Sequence, residues 1–297
     1  MAAFIMSGPL QAIGFVLVFA LLSMFLPFLG LLGNAAVGLV TLRLGWRRGL
    51  MVALPAGVMF GIVTLFLQGG LLGGLAAGVE WLIVAALAVL LMQTASWKIT
   101  LQVIFGLAAV SVLLFHLNVS DPGAFWQAAI RSLITDWDAI QSKLAEVDLK
   151  ELFDKAATYM TGMFAAGAAL AFTLSLMLAR HWQAALYNPG GFQQEMQELN
   201  LGKPAALLMA AIILFALLNG TPLMVDLLVI GLALFMFQGI AMVHGIRVIL
   251  NVHPAWLFGL YIPLALLPVQ LGILLAAFGI IDCFADFRGY LARRPKA

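Results

Sequence analysis

The sequence predicts an all-α fold: a polytopic transmembrane helical bundle of about eight spans plus a C-terminal proline-broken hairpin, forming one integral membrane domain over residues 1–297. Three observations carry this. Of 297 residues, 64% are hydrophobic and 9% charged, where soluble domains run near 45–50% apolar and about 25% charged. Mean hydropathy is +1.09, more apolar surface than one soluble core can bury. Apolar stretches also recur at the length a bilayer demands, roughly 20 residues per helix. The same figures exclude a soluble enzyme, a disordered chain and a nucleic-acid binder with a basic face. The one cysteine, Cys283, excludes a disulfide scaffold and a cysteine zinc site.

Nine apolar segments follow in order: Leu10–Leu26, Pro27–Leu42, Met51–Gln68, Leu71–Leu91, Ile99–Leu117, Thr158–Ala179, Pro204–Leu218, Pro222–Val248 and Ala255–Ile281. The first two are short and meet at Pro27, which cannot continue a helix unkinked, so they read as a tight or broken pair. No basic residue precedes Leu10 and no small-residue cleavage site follows Leu26, so the segment is not read as a signal peptide. The last stretch is too short for two full spans, yet it holds Pro263 and Pro268. It reads as a broken hairpin, with a helix break between Tyr261 and Gln270.

Residues 118–156 break the apolar pattern with a cluster of acids and bases. Asp121-Pro122 is a helix start, a capping side chain followed by proline at the first helical position. Phe125, Ala129, Leu133, Trp137, Ile140 and Leu144 recur at helical spacing. The segment is predicted to be an extracytoplasmic amphipathic helix on the membrane surface, as a cap or as a lid over a binding site.

Basic residues near helix ends mark the cytoplasmic side. With Arg43, Arg47 and Arg48 inside, Lys98 falls inside, 118–156 outside, and Arg180, Lys203 and Arg247 inside. The proline-broken hairpin returns Arg288, Arg293, Arg294 and Lys296 inside, so both termini are expected to be cytoplasmic. Small residues at four-residue spacing, Gly70, Gly74 and Gly78, then Gly162 with Ala166, Ala165 with Ala169 and Gly167 with Ala171, mark close helix approach.

Ionisable groups inside spans are functional candidates. Glu80 and Asp226 both fall in the outer halves of their helices. With Trp81, His116 and Asn219 they define a candidate solute or proton site suited to a cation or an amine-bearing solute. No HExxH, Walker loop, GxSxG elbow or GxGD motif occurs, so no enzyme, metal site or cofactor is expected. Asn34, Gln93, Gln102, Gln238 and Gln270 are expected to hydrogen-bond between helices. Residues 180–203 form a cytoplasmic interfacial elbow. Trp182 and Tyr187 suit the interface, and Asn188, Pro189, Gly190 and Gly191 signal a turn before Phe192. These residues are the candidate docking surface for a partner.

The opening Leu21-Leu-Ser-Met-Phe-Leu-Pro-Phe-Leu-Gly30, the basic turn Arg43–Arg48, the closing Gly279-Ile-Ile-Asp-Cys-Phe-Ala-Asp-Phe-Arg288 and the Leu-Tyr-Asn-Pro-Gly-Gly of the elbow resemble the YybS-like family of bacterial membrane proteins, whose function is unknown. That family is in turn remotely similar to the substrate-binding S subunits of energy-coupling-factor transporters. The resemblance implies a multi-pass protein of the bacterial inner membrane. Its function would be to bind or transport a small solute taken from outside, with a membrane or ATPase partner subunit or a second copy of itself. A non-transporting scaffold or assembly factor for envelope proteins is the alternative expectation.

Overall fold

A computed structural model describes residues 1–133 and 149–293. The described residues are helical throughout, with short 3-10 turns and no strand. Seven helices are long and apolar enough to cross a membrane, or eight when the bent pair Gly191–Glu198 and Lys203–Asn219 counts as one span. The contacts divide the chain into two compact units. The first comprises Met1–Ile104 and Leu170–Leu199, the second Phe105–Ala169 and Asn200–Ala297.

In the first unit, α1 (Ala2–Ile5) and α2 (Pro9–Ser23) lead to a 3-10 turn at Pro27–Leu29 and then α3 (Gly30–Leu44). The break falls at the predicted proline, whose ring admits no helical partner four residues back. Gly45, at φ 85°, turns the chain into α4 (Trp46–Gln68), and Gly69, at φ 68°, turns it into α5 (Leu72–Thr94). Helices α4 and α5 touch where their glycines meet: a Cβ on Gly74 would overlap the backbone of Gly61, and one on Gly57 would lie 3.4 Å from Gly78 Cα. Of the predicted glycine stripe, Gly74 and Gly78 serve this contact, while Gly70 has nothing within 4 Å. In lipid such close approach gains dispersion contacts that longer side chains would block.

Helix α6 (Trp97–Asn118) passes from the first unit's residues into the second's, and α7 (Pro122–Leu133) follows. The Asp121 carboxylate accepts the Ala124 amide at 2.9 Å, the N-cap expected from Asp-Pro. Leu133 is the last residue of α7, and the expectations for Trp137, Ile140 and Leu144 lie outside the described residues. Helix α8 (Leu149–Tyr187) runs 39 residues. It absorbs the predicted sixth span and also Arg180–Tyr187, which the sequence reading assigned to the elbow. Only Asn188–Gly190 turns, with Gly190 at φ 87°, before α9 (Gly191–Glu198).

The second unit continues with α10 (Lys203–Asn219), α11 (Pro222–Ile249), α12 (Phe258–Leu266), α13 (Pro268–Ala285) and α14 (Phe287–Ala292). The proline-broken element is present. Its break lies at Leu267 (φ −131°, ψ 60°), because Pro268 disfavours helical geometry in the residue before it. Helix α13 packs tightly on α11, where a Cβ on Gly239 would overlap Leu275 and one on Gly279 would overlap Phe235. A buried polar clasp ties this end together. Asp282 Oδ2 accepts from Gln238 Nε2 at 2.8 Å and from Arg288 Nη2 at 3.0 Å, and Gln238 Oε1 accepts the Leu201 amide at 3.0 Å. Gln238 thus makes the interhelical bonds expected of it.

Candidate functional site

The second unit brings two of the predicted site residues together. His116, near the end of α6, places Nε2 2.8 Å from Asp226 Oδ2 in the first turns of α11. The other carboxylate oxygen accepts the backbone amide of Gly162 in α8 at 2.8 Å. Three helices therefore converge on one carboxylate that is 1% exposed. Gly162 is what permits the convergence: a Cβ there would lie 2.6 Å from Asp226 Cα and 2.7 Å from its Oδ1. The small-residue spacing marked this glycine for close approach; the approach it serves is to an acid.

Helix α7 docks beside the pair. The Trp126 indole donates to Thr161 Oγ1 at 2.8 Å, one residue before Gly162, and its ring stacks on Phe164 at 4.7 Å and 5°. Phe115, adjacent to His116, meets Phe125 and Trp126 at 5.2 and 6.1 Å. These aromatic contacts each add roughly 0.5–1.5 kcal/mol beyond burial and hold the end of α6 against α7. A cleft of about 530 Å³ opens here, its lining including His116, Ser120, Asp121, Gln127, Thr158 and Thr221.

The chemistry follows from the donor set. A buried carboxylate needs hydrogen bonds to both oxygens, and Asp226 has them. With Nε2 bonded to Asp226, the other ring nitrogen of His116 can donate or accept a hydrogen bond. Asp121 supplies the carboxylate of the wall, and Asp226 lies buried behind His116. The lining thus offers a carboxylate, an imidazole, hydroxyls and one side-chain amide as hydrogen-bonding groups.

The other predicted site residues stand apart from this pair. Glu80 belongs to the first unit, where its Oε1 accepts from Asn34 Nδ2 at 2.6 Å. Asn34 is 2% exposed, so the acid answers a buried amide on α3, and Asn34 makes the interhelical bond expected of it. Trp81 is buried against Phe60, ring centroids 6.2 Å apart. Asn219 is exposed at the end of α10 and does not line the cleft. Thr161 and Gly162 carried no site expectation. Asp282 reads in sequence only as part of the closing motif; Arg288 is near it in sequence, but its interhelical partner Gln238 lies 44 positions away.

The elbow is engaged within the first unit. Trp182 meets Phe15 edge-on at 6.2 Å, the Arg43 guanidinium lies 4.0 Å from the Tyr187 ring centroid, and Phe192 packs on Trp97 and His181 at 6.0 Å each. Glu195 ties α9 back to α8 and α6. It accepts from Arg180 Nε at 3.1 Å, from Arg180 Nη2 and from Trp97 Nε1 at 3.0 Å. Asn188 and Pro189 are exposed at the turn, with Gly190 and Gly191 following. Among the described residues no group of three His, Cys, Asp or Glu is placed to hold a metal ion.

Fold and composition define an integral, multi-pass α-helical membrane protein. No family model, curated protein or solved structure matches the chain.

Proposed function

We propose that this protein is a solute-binding or transport subunit whose site is the His116–Asp226 pair and its adjoining cleft. The observation that carries the reading is a buried carboxylate, bonded to a cleft-lining histidine, where the end of α6 and the start of α11 meet α8. Buried ionisable groups in membrane helices are costly and are retained where an ion or solute path uses them. The solute is a cation or an amine-bearing molecule, drawn by Asp121 and by the Asp226 charge behind His116. In this reading the site serves binding and proton exchange.

The charge distribution sets the orientation. The Arg43–Arg48 turn and both termini face the cytoplasm of a bacterial inner membrane, and the cleft faces outward. The YybS-like motifs of the two chain ends support a partner in the same membrane, either an ATPase-bearing module or a second copy. The elbow, where α9 is held by Arg180 and Trp97, is the cytoplasmic face available to such a module.

The test is direct. Native mass spectrometry of the purified chain should reveal a retained small molecule. A panel of amines and monovalent cations should raise the melting midpoint of the wild type. Asp226→Asn and His116→Ala should abolish that shift while remaining folded by circular dichroism. A panel that shifts neither the wild type nor these variants, with no retained solute, would refute the reading.

A further inference from the structure

Along α11, Asp226 and Arg247 are separated by 21 positions, about 31 Å of helix, close to the roughly 30 Å hydrocarbon thickness of a bilayer. Arg247 therefore stands at the opposite membrane interface from the His116–Asp226 pair. There the second unit carries another cleft, of about 360 Å³, lined by Val243, Ile246, Arg247, Leu250, Trp256 and Leu257 with Val252. Every lining side chain except Arg247 is apolar or aromatic.

Arg247 is chemically unfinished. Its Nε is buried and has no hydrogen-bond partner. None of the carboxylates that form ion pairs among the described residues belongs to it. The nearest polar neighbour one turn back, His244, is engaged by the Tyr261 hydroxyl at 2.7 Å. His253, at the start of the next turn, accepts the Ala255 amide. A guanidinium has five N–H donors and no acceptor, and leaving such donors buried and unsatisfied is disfavoured. The other described guanidinia of this unit are paired, Arg131 with Asp154, Arg288 with Asp282 and Arg293 with Asp286.

We propose that this cleft is a binding site for an anionic membrane phospholipid, with the headgroup phosphate on Arg247 and an acyl chain along Val243, Ile246, Leu250 and Leu257. Charge complementarity selects the headgroup, since the one polar group in an apolar groove is an unpaired cation. Guanidinium binds phosphate through paired N–H donors. Position selects a lipid over a soluble anion. Trp256, 74% exposed, marks the headgroup level, where tryptophan is enriched, and Leu250 of the lining is likewise exposed.

The experiment uses the full chain, delipidated in detergent and examined by native mass spectrometry. Dioleoyl phosphatidylglycerol and dioleoyl phosphatidylcholine are added at equal concentration. The expected result is retention of one phosphatidylglycerol at about tenfold the phosphatidylcholine level. Arg247→Gln should reduce phosphatidylglycerol to the phosphatidylcholine level, and Arg247→Lys should keep part of the preference. Trp256→Ala, at a position 74% exposed, should lower retention of both lipids. Equal retention of the two lipids by the wild type overturns the proposal, as does a preference that Arg247→Gln leaves intact. Displacement of the lipid by millimolar inorganic phosphate would make the site one for a soluble anion. A dimer that Arg247→Gln dissociates would assign the groove to a second copy. Either result also overturns it.

Discussion

Replacing Gly162 with alanine probes the convergence on Asp226 at a single atom. The added Cβ would sit 2.6 Å from Asp226 Cα, 2.7 Å from Oδ1 and 2.9 Å from its carbonyl oxygen. Backbone atoms cannot swing aside, so α8 and α11 must part by about 1 Å to restore ordinary contact, in the manner of an overpacked core. That displacement stretches the Gly162 N–H to Asp226 bond from 2.8 Å to nearly 4 Å, beyond hydrogen-bond range. Overpacking costs about 1–3 kcal/mol. Loss of a bond to a charged group costs about 1.5–3 kcal/mol. Alanine returns about 1 kcal/mol of helix propensity. The net destabilisation is about 1.5–5 kcal/mol, from these three magnitudes. Gly167→Ala in the same helix is the control, because nothing lies within 4 Å of its Cβ position; it gains the propensity without the clash. Melting midpoints in one detergent at one scan rate provide the comparison, since unfolding of such proteins is governed by rates. Gly162→Ala should melt at least roughly 3 °C below wild type, and Gly167→Ala at or above it. Equal midpoints for the two variants would refute the packing argument, and amine binding retained by Gly162→Ala would separate that contact from the site.

Other expectations test the remaining polar contacts and the topology. Glu80→Ala should lower stability by about 1–3 kcal/mol because Asn34 is left buried without its acceptor, whereas Glu80→Gln keeps an oxygen for it and should melt near wild type; unchanged stability of Glu80→Ala with loss of solute binding would return Glu80 to the site. Arg288→Ala should cost about 3–5 kcal/mol by stranding the buried Asp282 charge. Pairing it with Asp282→Asn should recover much of that loss in a double-mutant cycle, and additive losses would show that the two side chains do not act as a pair. Cysteines at Thr221 and at Val252 should be labelled from opposite sides of the membrane, with one after Ala292 on the Val252 side. Labelling of the tail from the Thr221 side would place Arg293 and the residues after it outside and remove the terminal hairpin.

The membrane architecture was readable because hydropathy is a local property. A run of apolar residues long enough to span and a proline that cannot bond four residues back act through near neighbours. The breaks at Pro27 and Leu267 and the Asp121 cap accordingly fall where the residue order puts them. The single 39-residue α8 shows the limit of that reading. Arg180 and the polar residues after it look like a loop by composition, yet they stay helical because Arg180 and Trp97 hold Glu195 of α9 beside them.

What the sequence by itself determined is that the chain is α-helical, spans the membrane several times, and places a few ionisable groups at depth. Only the tertiary structure decided which of those groups meet. Glu80 and Asp226 look alike in sequence, each an acid in an apolar helix. One is answered by Asn34, 46 positions away, and the other by His116, 110 positions away. The physical reason is that a buried charge is stabilised by whichever donor the packing delivers within about 3 Å. Glycines such as Gly162 set that packing by what they lack, and a pattern of side chains along one helix does not name the backbone that will lie against it.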